Sequence, residues 1–152
     1  MKKKGHDGLV AAAKYGAALY AFQLVTRLLA AYAGFAQTII GFAGGLQAVD
    51  AAYYVAAAAA GWLLSVEARG KGLKQSGALV LAASAAFVTA LLGALNPLFY
   101  SLAFALPAST GGLGALLSNP AYWAYSVGYG FVVASVFLCA GALIESLLVN
   151  RK

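Results

Sequence analysis

The sequence predicts an all-α integral membrane protein, a bundle of four transmembrane helices that forms a single domain over residues 1–152. Hydrophobic residues make up 63% of the chain and charged residues 9%, whereas soluble domains are about 25% charged. A chain of 152 residues has room for about four or five spans of about 20 residues with their turns. Its basic residues are clustered in a way that suits an even number of spans. We therefore interpret the formal net charge of +6 as a topology signal and expect no nucleic-acid partner.

The first apolar stretch, residues 9–45, is too long for one perpendicular span of about 20 residues. Its polar interruptions are Lys14, Gln23, Arg27 and Gln37. We favour a span over 28–46 preceded by an interfacial segment over 8–26. This places Arg27 at the cytoplasmic boundary and avoids a mid-membrane charge, which costs about 3 kcal/mol. The alternative is a tilted span over 15–42 with Arg27 near the middle of the membrane.

The second and fourth spans are predicted over 51–66 and 121–149. Asp50 precedes the second span, where a carboxylate can cap the helix and interact with its positive end. The fourth span follows the dipeptide Asn119-Pro120, and an outer connector over 107–118, rich in glycine and serine, precedes it.

The third apolar stretch, residues 77–106, would reach about 45 Å as one helix, which is longer than the hydrocarbon core of a bilayer. The dipeptide Asn96-Pro97 divides it, because asparagine is a good N-cap and proline suits the first helical turn. We therefore predict a span over 77–95 and a separate short outer helix after Asn96-Pro97. A single proline-kinked helix is the alternative.

Most lysine and arginine residues lie in three clusters. These are residues 2–4, the loop residues Arg69, Lys71 and Lys74, and the C-terminal pair Arg151 and Lys152. Four spans place all the clusters on one side, and such residues mark the cytoplasmic side. We expect a multi-pass protein of the cell membrane with cytoplasmic N- and C-termini. The outer interface is predicted to carry an aromatic belt formed by Tyr53, Tyr54, Tyr100, Tyr122, Trp123 and Tyr125.

Small residues recur at four-residue spacing, which permits close helix packing in lipid. On the third span they are Ala78, Ala82, Ala86, Ala90 and Ala94, and on the second they are Ala48, Ala52, Ala56 and Ala60. The first stretch adds the pair Gly41 and Gly45. This pattern predicts packing inside the bundle and also suits contacts between subunits. We therefore expect membrane lipids as partners, with a homo-oligomer or a larger membrane complex.

Few residues in the chain are suited to catalysis or metal binding. His6 and Cys139 are the one histidine and the one cysteine, whereas structural zinc typically takes four ligands and haem needs axial ligands. We expect no cofactor, no metal site and no enzymatic activity in this chain, unless it belongs to an enzyme complex whose cofactors lie on another chain.

The polar candidates for an intramembrane or interfacial site are Arg27, Gln37, Gln23, Glu145 and Asp50. Interhelical hydrogen bonds are their structural interpretation, and lining a substrate pocket is the functional one. We further expect Glu145 to pair with Arg27 at the same membrane level, since both would otherwise be lone charges near lipid.

These observations favour a small non-catalytic membrane protein that acts as a structural or accessory subunit of a larger assembly. A small oligomeric transporter or channel, with Arg27 and Gln37 facing the pathway, is one alternative. In its four-span outline without metal ligands the chain also resembles quinone-linked accessory subunits of the DoxX type. That resemblance implies an accessory role in a membrane oxidoreductase. A subunit of a lipid-containing pilus or virion is a further alternative.

Overall fold

The computed structural model describes residues 2–33, 48–103 and 118–149, and the regular structure in these ranges is helical. The helices are α1 (Lys2–Ala33), α2 (Ala48–Gly70), α3 (Gln75–Gly93), α4 (Asn96–Ala103) and α5 (Pro120–Val149). Within the described ranges, four segments are long and apolar enough to cross a membrane: Asp7–Leu29, Asp50–Gly70, Gln75–Gly93 and Pro120–Val149. The protein is thus a helical bundle with four potential membrane-spanning helices.

The N-terminal helix differs from the favoured prediction of an interfacial segment followed by a span. α1 is continuous over Lys2–Ala33, so residues 8–26 do not form a separate interfacial segment before a span over 28–46. Ala12 and Leu19 are buried in the bundle core, which a helix lying at the interface would not achieve. The tilted alternative over 15–42 begins inside α1 and extends into residues outside the described ranges.

Two helices begin at the asparagine–proline dipeptides. α3 ends at Gly93 and the short α4 begins at Asn96, so the predicted break in the third apolar stretch is present. Before α5, the Asn119 side chain accepts a hydrogen bond of 2.9 Å from the backbone N–H of Ala121, which caps the helix. Most of the predicted connector over 107–118 lies outside the described residues.

The core of the bundle is formed largely by small side chains. α3 packs against α1 and α5, and α2 packs against the same two helices. The predicted stripe on α3 is buried, and its members are Ala78, Ala82, Ala86, Ala90 and Ala94. On α2 the predicted stripe is only partly buried: Ala52 is exposed, Ala56 and Ala60 are partly buried against the core, and Tyr53 and Ala57 beside them are buried. Gly41 and Gly45 lie outside the described residues.

Glycines allow the closest approaches between helices. A Cβ atom on Gly61 of α2 would overlap the backbone of Leu138 on α5, and one on Gly141 of α5 would overlap the backbone of Ala58 on α2. On α1, a Cβ on Gly16 would lie 2.6 Å from the carbonyl oxygen of Ala85 on α3. These contacts follow the general rule that small residues bring helix backbones together in membranes.

The bundle has two chemically different ends. The start of α1, the α2–α3 turn and the end of α5 form what we call the basic end, where Lys71 Nζ donates to the Asp7 carbonyl (3.4 Å) and Gln75 donates to Ser146 Oγ (2.9 Å). The opposite end, which we call the tyrosine end, holds the finish of α1 and α3 and the start of α2 and α5. There Tyr20 donates to Asn96 Oδ1 across 3.1 Å. Which end faces the cytoplasm stays a prediction.

Candidate functional site

A cavity of about 370 Å³ lies at the tyrosine end of the bundle. Residues from each of the helices in the described ranges line it. They are Gln23, Arg27, Asp50, Tyr53, Tyr54, Thr89, Ala90, Gly93, Asn96, Pro97, Tyr122, Tyr125, Ser126, Tyr129, Gly130 and Val133. The lining combines one cation, one carboxylate, five phenol rings and several amide or hydroxyl groups. This composition differs from the small apolar side chains that fill the core below it.

An ion pair forms one part of the cavity wall. Arg27 Nη2 of α1 donates to Asp50 Oδ1 in the first turn of α2 across 2.9 Å, and the two side chains keep exposed fractions of 39% and 30%. Asp50 therefore holds Arg27 as well as lying at the positive end of α2. Because both groups remain partly exposed, a molecule in the cavity can reach them.

The predicted pairing of Arg27 with Glu145 is wrong. Since α1 starts at the basic end and is continuous, Arg27 lies about 30 Å further along the helix than Asp7, at 1.5 Å per residue. Glu145 lies at the basic end, where it forms an ion pair with Arg69 of α2. The two charges that we expected to meet are thus at opposite ends of the bundle.

The aromatic side chains of the cavity are held in pairs. Tyr54 of α2 stacks on Phe137 of α5 with ring centroids 4.4 Å apart and an interplanar angle of 10°. Tyr53 contacts the edge of Tyr54 at 5.9 Å, and Tyr125 stacks with Tyr129 at 5.9 Å. Offset and edge contacts of this kind stabilise ring orientations, and Tyr54 is held by two of them, whereas Tyr125 and Tyr129 are largely exposed.

Hydrogen bonds fix the polar groups on the other walls. Thr89 of α3 is buried and donates to the carbonyl of Gly16 on α1 at 3.0 Å, shared with Ala85 at 2.9 Å. Tyr122 Oη donates to the Ala94 carbonyl at 2.8 Å. Asn96 accepts from a tyrosine of α1 and keeps its amide hydrogens as further donors. The cavity can therefore offer both donors and acceptors in fixed positions.

A second polar cluster closes the basic end. The Glu145 side chain has an exposed fraction of 2%, pairs with Arg69, and accepts a hydrogen bond of 2.9 Å from Ser65. Beside it lies a smaller cavity of about 120 Å³, lined in part by Lys74 and Gln75. A buried carboxylate needs such partners because its desolvation is unfavourable. This cluster ties α2 to α5 at the end opposite the tyrosines.

The predicted polar candidates are thus divided between two sites. Gln23, Arg27 and Asp50 meet in the tyrosine-end cavity, Glu145 lies in the basic-end cluster, and Gln37 lies outside the described residues. The tyrosine lining was interpreted from sequence as an interfacial belt. The four-residue spacing of Tyr125 and Tyr129, on the same helical face, is the sequence feature that indicates a shared wall.

The part of the chain that the structure describes contains no cluster of side chains suited to metal binding. No group of three or more histidine, cysteine, aspartate or glutamate side chains lies close enough to hold an ion there. The absence of a cofactor stays a prediction.

No protein-family model, curated protein or solved structure matches this chain. Since fold alone does not define function, the function has to be inferred from the residues of the site.

Proposed function

We propose that this protein is a small membrane carrier that binds a polar solute in the tyrosine-end cavity. The observation that carries the proposal is the Arg27–Asp50 ion pair in the wall of a cavity of about 370 Å³. Arg27 lies two residues before the end of the segment Asp7–Leu29, and Asp50 is the first residue of the segment Asp50–Gly70, both long and apolar enough to cross a membrane. The pair therefore places polar, charged groups at the ends of two such helices, in the wall of a cavity that a solute can enter.

The size and lining of the cavity support solute binding. Small-molecule sites commonly occupy about 300–1,000 Å³ and combine apolar or aromatic walls with a few placed polar groups. Tyr54 and Tyr129 provide such walls, and Gln23, Arg27 and Asn96 provide such groups. The binding step needs no covalent chemistry, in keeping with a non-catalytic protein.

The opposite half of the bundle favours a carrier over an open channel. Leu64, Ala134 and Leu138 have no exposed surface, and Gly61 and Gly141 bring α2 and α5 into backbone contact. A solute in the cavity is therefore separated from the basic end by packed side chains. Release at that end requires a second conformation, as in transporters with alternating access to a site within the membrane.

The accessory-subunit function is the second candidate. It is favoured by the apolar side chains exposed on the outer surfaces of the bundle, which in a membrane contact lipid or partner helices. The alanine stripe of α3 does not contribute to such an interface, since it is buried within the bundle. An accessory subunit of an oxidoreductase and a repeating subunit of a pilus or virion belong to the same candidate.

A cavity-filling substitution tests the carrier proposal. Gly93 lines the cavity, and a Cβ atom placed on it meets no other atom within 4 Å. Gly93→Phe should therefore fill the cavity without disturbing a helix contact. Gly128 is a matched control, because its surroundings are equally open and it does not line the cavity.

The measurement is mass spectrometry of small molecules retained by the full-length protein after mild detergent extraction, followed by flux of the retained molecule into proteoliposomes. We expect the wild type and Gly128→Phe to retain and transport a molecule that Gly93→Phe does not. Equal retention and flux in all three proteins, or a molecule retained without any flux, would contradict the carrier proposal.

A further inference from the structure

We infer that the solute of the tyrosine-end cavity is an uncharged aromatic molecule with hydrogen-bonding groups, and that Arg27 and Asp50 together set this charge preference. The inference rests on the proposed binding function of the cavity and adds the class of the ligand and two specificity-determining residues.

The first argument is the charge of the cavity. Among the lining residues that the structure describes, Arg27 is the cation and Asp50 the carboxylate, and their facing atoms are 2.9 Å apart. The two charges neutralise each other, so the cavity has no free charge left to pair with a charged ligand. Such a ligand would lose part of its hydration in the cavity without gaining a counter-charge, which is unfavourable. A neutral ligand avoids this penalty.

The second argument is the geometry of the aromatic walls. Tyr54 is stacked on Phe137 and Tyr125 on Tyr129, with interplanar angles of 10° and 7°. Tyr54, which contacts both Phe137 and Tyr53, is oriented before any ligand binds, and a preorganised site loses less conformational freedom on binding. A flat aromatic ring can continue such a stack in an offset or edge arrangement.

The third argument is the supply of hydrogen bonds. Arg27 carries five N–H donors, and Asp50 has two oxygens that accept, while their mutual contact joins one nitrogen to one oxygen. Both side chains keep exposed surface beside Gln23 in the cavity lining. Hydroxyl or carbonyl groups on the ring can therefore be bound without breaking the ion pair.

Three phenols that share one ring test the inference. They are 4-hydroxybenzyl alcohol, which is neutral, 4-hydroxybenzoate, which is an anion at neutral pH, and tyramine, which is a cation. Binding to the purified full-length protein in lipid nanodiscs is measured for each by equilibrium dialysis. We expect the neutral phenol to bind at least tenfold more tightly than either charged one.

Charge variants give the inference a specific signature. Asp50→Asn leaves the Arg27 charge unbalanced and should shift the preference toward 4-hydroxybenzoate, whereas Arg27→Gln should shift it toward tyramine. The double variant, and the exchanged pair Arg27→Asp/Asp50→Arg, should restore the neutral preference. Glu67→Gln is the control, because Glu67 pairs with Lys71 at the basic end, and it should bind all three probes like the wild type.

The outcomes separate the ligand class from the function. Tightest binding of a charged phenol by the wild type, or a shift in the same direction for both single variants, would overturn the inference. The same holds if none of the phenols binds while Gly93→Phe abolishes retention of another molecule. In that case the carrier proposal stands and the ligand class is wrong. Opposite shifts for the two single variants, with recovery in either double variant, would support the inference.

Discussion

Arg27 on α1 and Asp50 on α2 form an ion pair of 2.9 Å between two potential membrane-spanning helices. The two side chains keep exposed fractions of 39% and 30%, close to the 37% and 31% of the Lys71–Glu67 pair, so the energy of the pair is close to that of a surface pair. Removal of one partner leaves the other, partly exposed charge without its counter-charge at the contact between two helices. That arrangement is less favourable than the absence of both charges.

We therefore predict that Arg27→Met lowers the free energy of unfolding by about 1 kcal/mol or less. The double variant Arg27→Met/Asp50→Leu should be more stable than Arg27→Met alone. The measurement is a double-mutant cycle from detergent-induced unfolding of the purified protein, followed by circular dichroism. Purely additive effects of the two substitutions would show that the pair does not stabilise the bundle.

For the Arg69–Glu145 pair at the basic end, we predict that loss of the two partners has unequal effects on stability. Glu145 is almost fully buried, whereas the Arg69 side chain has an exposed fraction of 42%. Arg69→Met strands a buried carboxylate and should destabilise the protein by about 3 kcal/mol. Glu145→Met leaves an arginine that can reach solvent, and should have a smaller effect.

Unfolding free energies of the two variants decide this, with Lys71→Met as the control. Lys71 pairs with Glu67 on the exposed surface, and such pairs contribute about 0.2–1 kcal/mol. A larger loss for Glu145→Met than for Arg69→Met would mean that the carboxylate, rather than its neutralisation, holds α2 and α5 together.

Local sequence features predicted the elements that depend on local chemistry. The break at Asn96 and the cap at Asn119 are encoded by asparagine–proline dipeptides, and the buried face of α3 follows from alanines four residues apart. Each of these features is complete within a few residues of chain. For that reason they were accessible without knowledge of the tertiary contacts.

The site itself depends on contacts between distant segments. The partner of Arg27 is set by the length of α1, which hydropathy did not define because the whole first stretch is apolar. On α2 several alanine spacings are equivalent by sequence, and which of them is buried depends on how α2 packs against the other helices. Tyr53, Tyr54, Tyr122 and Tyr125 lie near one end, as predicted, while their grouping around a cavity depends on the helix packing.

The orientation of the bundle is a prediction that labelling can test. The basic residues near the α2–α3 turn should be cytoplasmic, and Ser118 at the other end should face outward. In a Cys139→Ala background, an impermeant maleimide should label Ser118→Cys on intact cells and Gly70→Cys only after permeabilisation. Both positions are exposed and suited to labelling. Labelling of both from outside would contradict the four-span topology, and the opposite order would invert it.

Gly61 and Gly141 should be the positions least tolerant of added volume. A Cβ atom at either one overlaps backbone atoms of the facing helix, and backbone cannot move aside as the end of a flexible side chain can. Relief requires α2 and α5 to separate, which also disturbs the ion pair between Arg69 and Glu145. We predict that Gly61→Ala and Gly141→Ala each destabilise the protein by about 2–3 kcal/mol, as overpacking does elsewhere.

Gly128→Ala is the matched control for these two variants. Gly128 lies on the same helix as Gly141, and its Cβ position is open. Alanine there should leave stability unchanged or raise it by up to about 1 kcal/mol, because alanine is the better helix former. Unfolding free energies of all three variants provide the test. If Gly141→Ala behaved like Gly128→Ala, the two helices would not be in backbone contact. The packed barrier between the cavity and the basic end would then lose its main support, and with it the argument for a carrier over a channel.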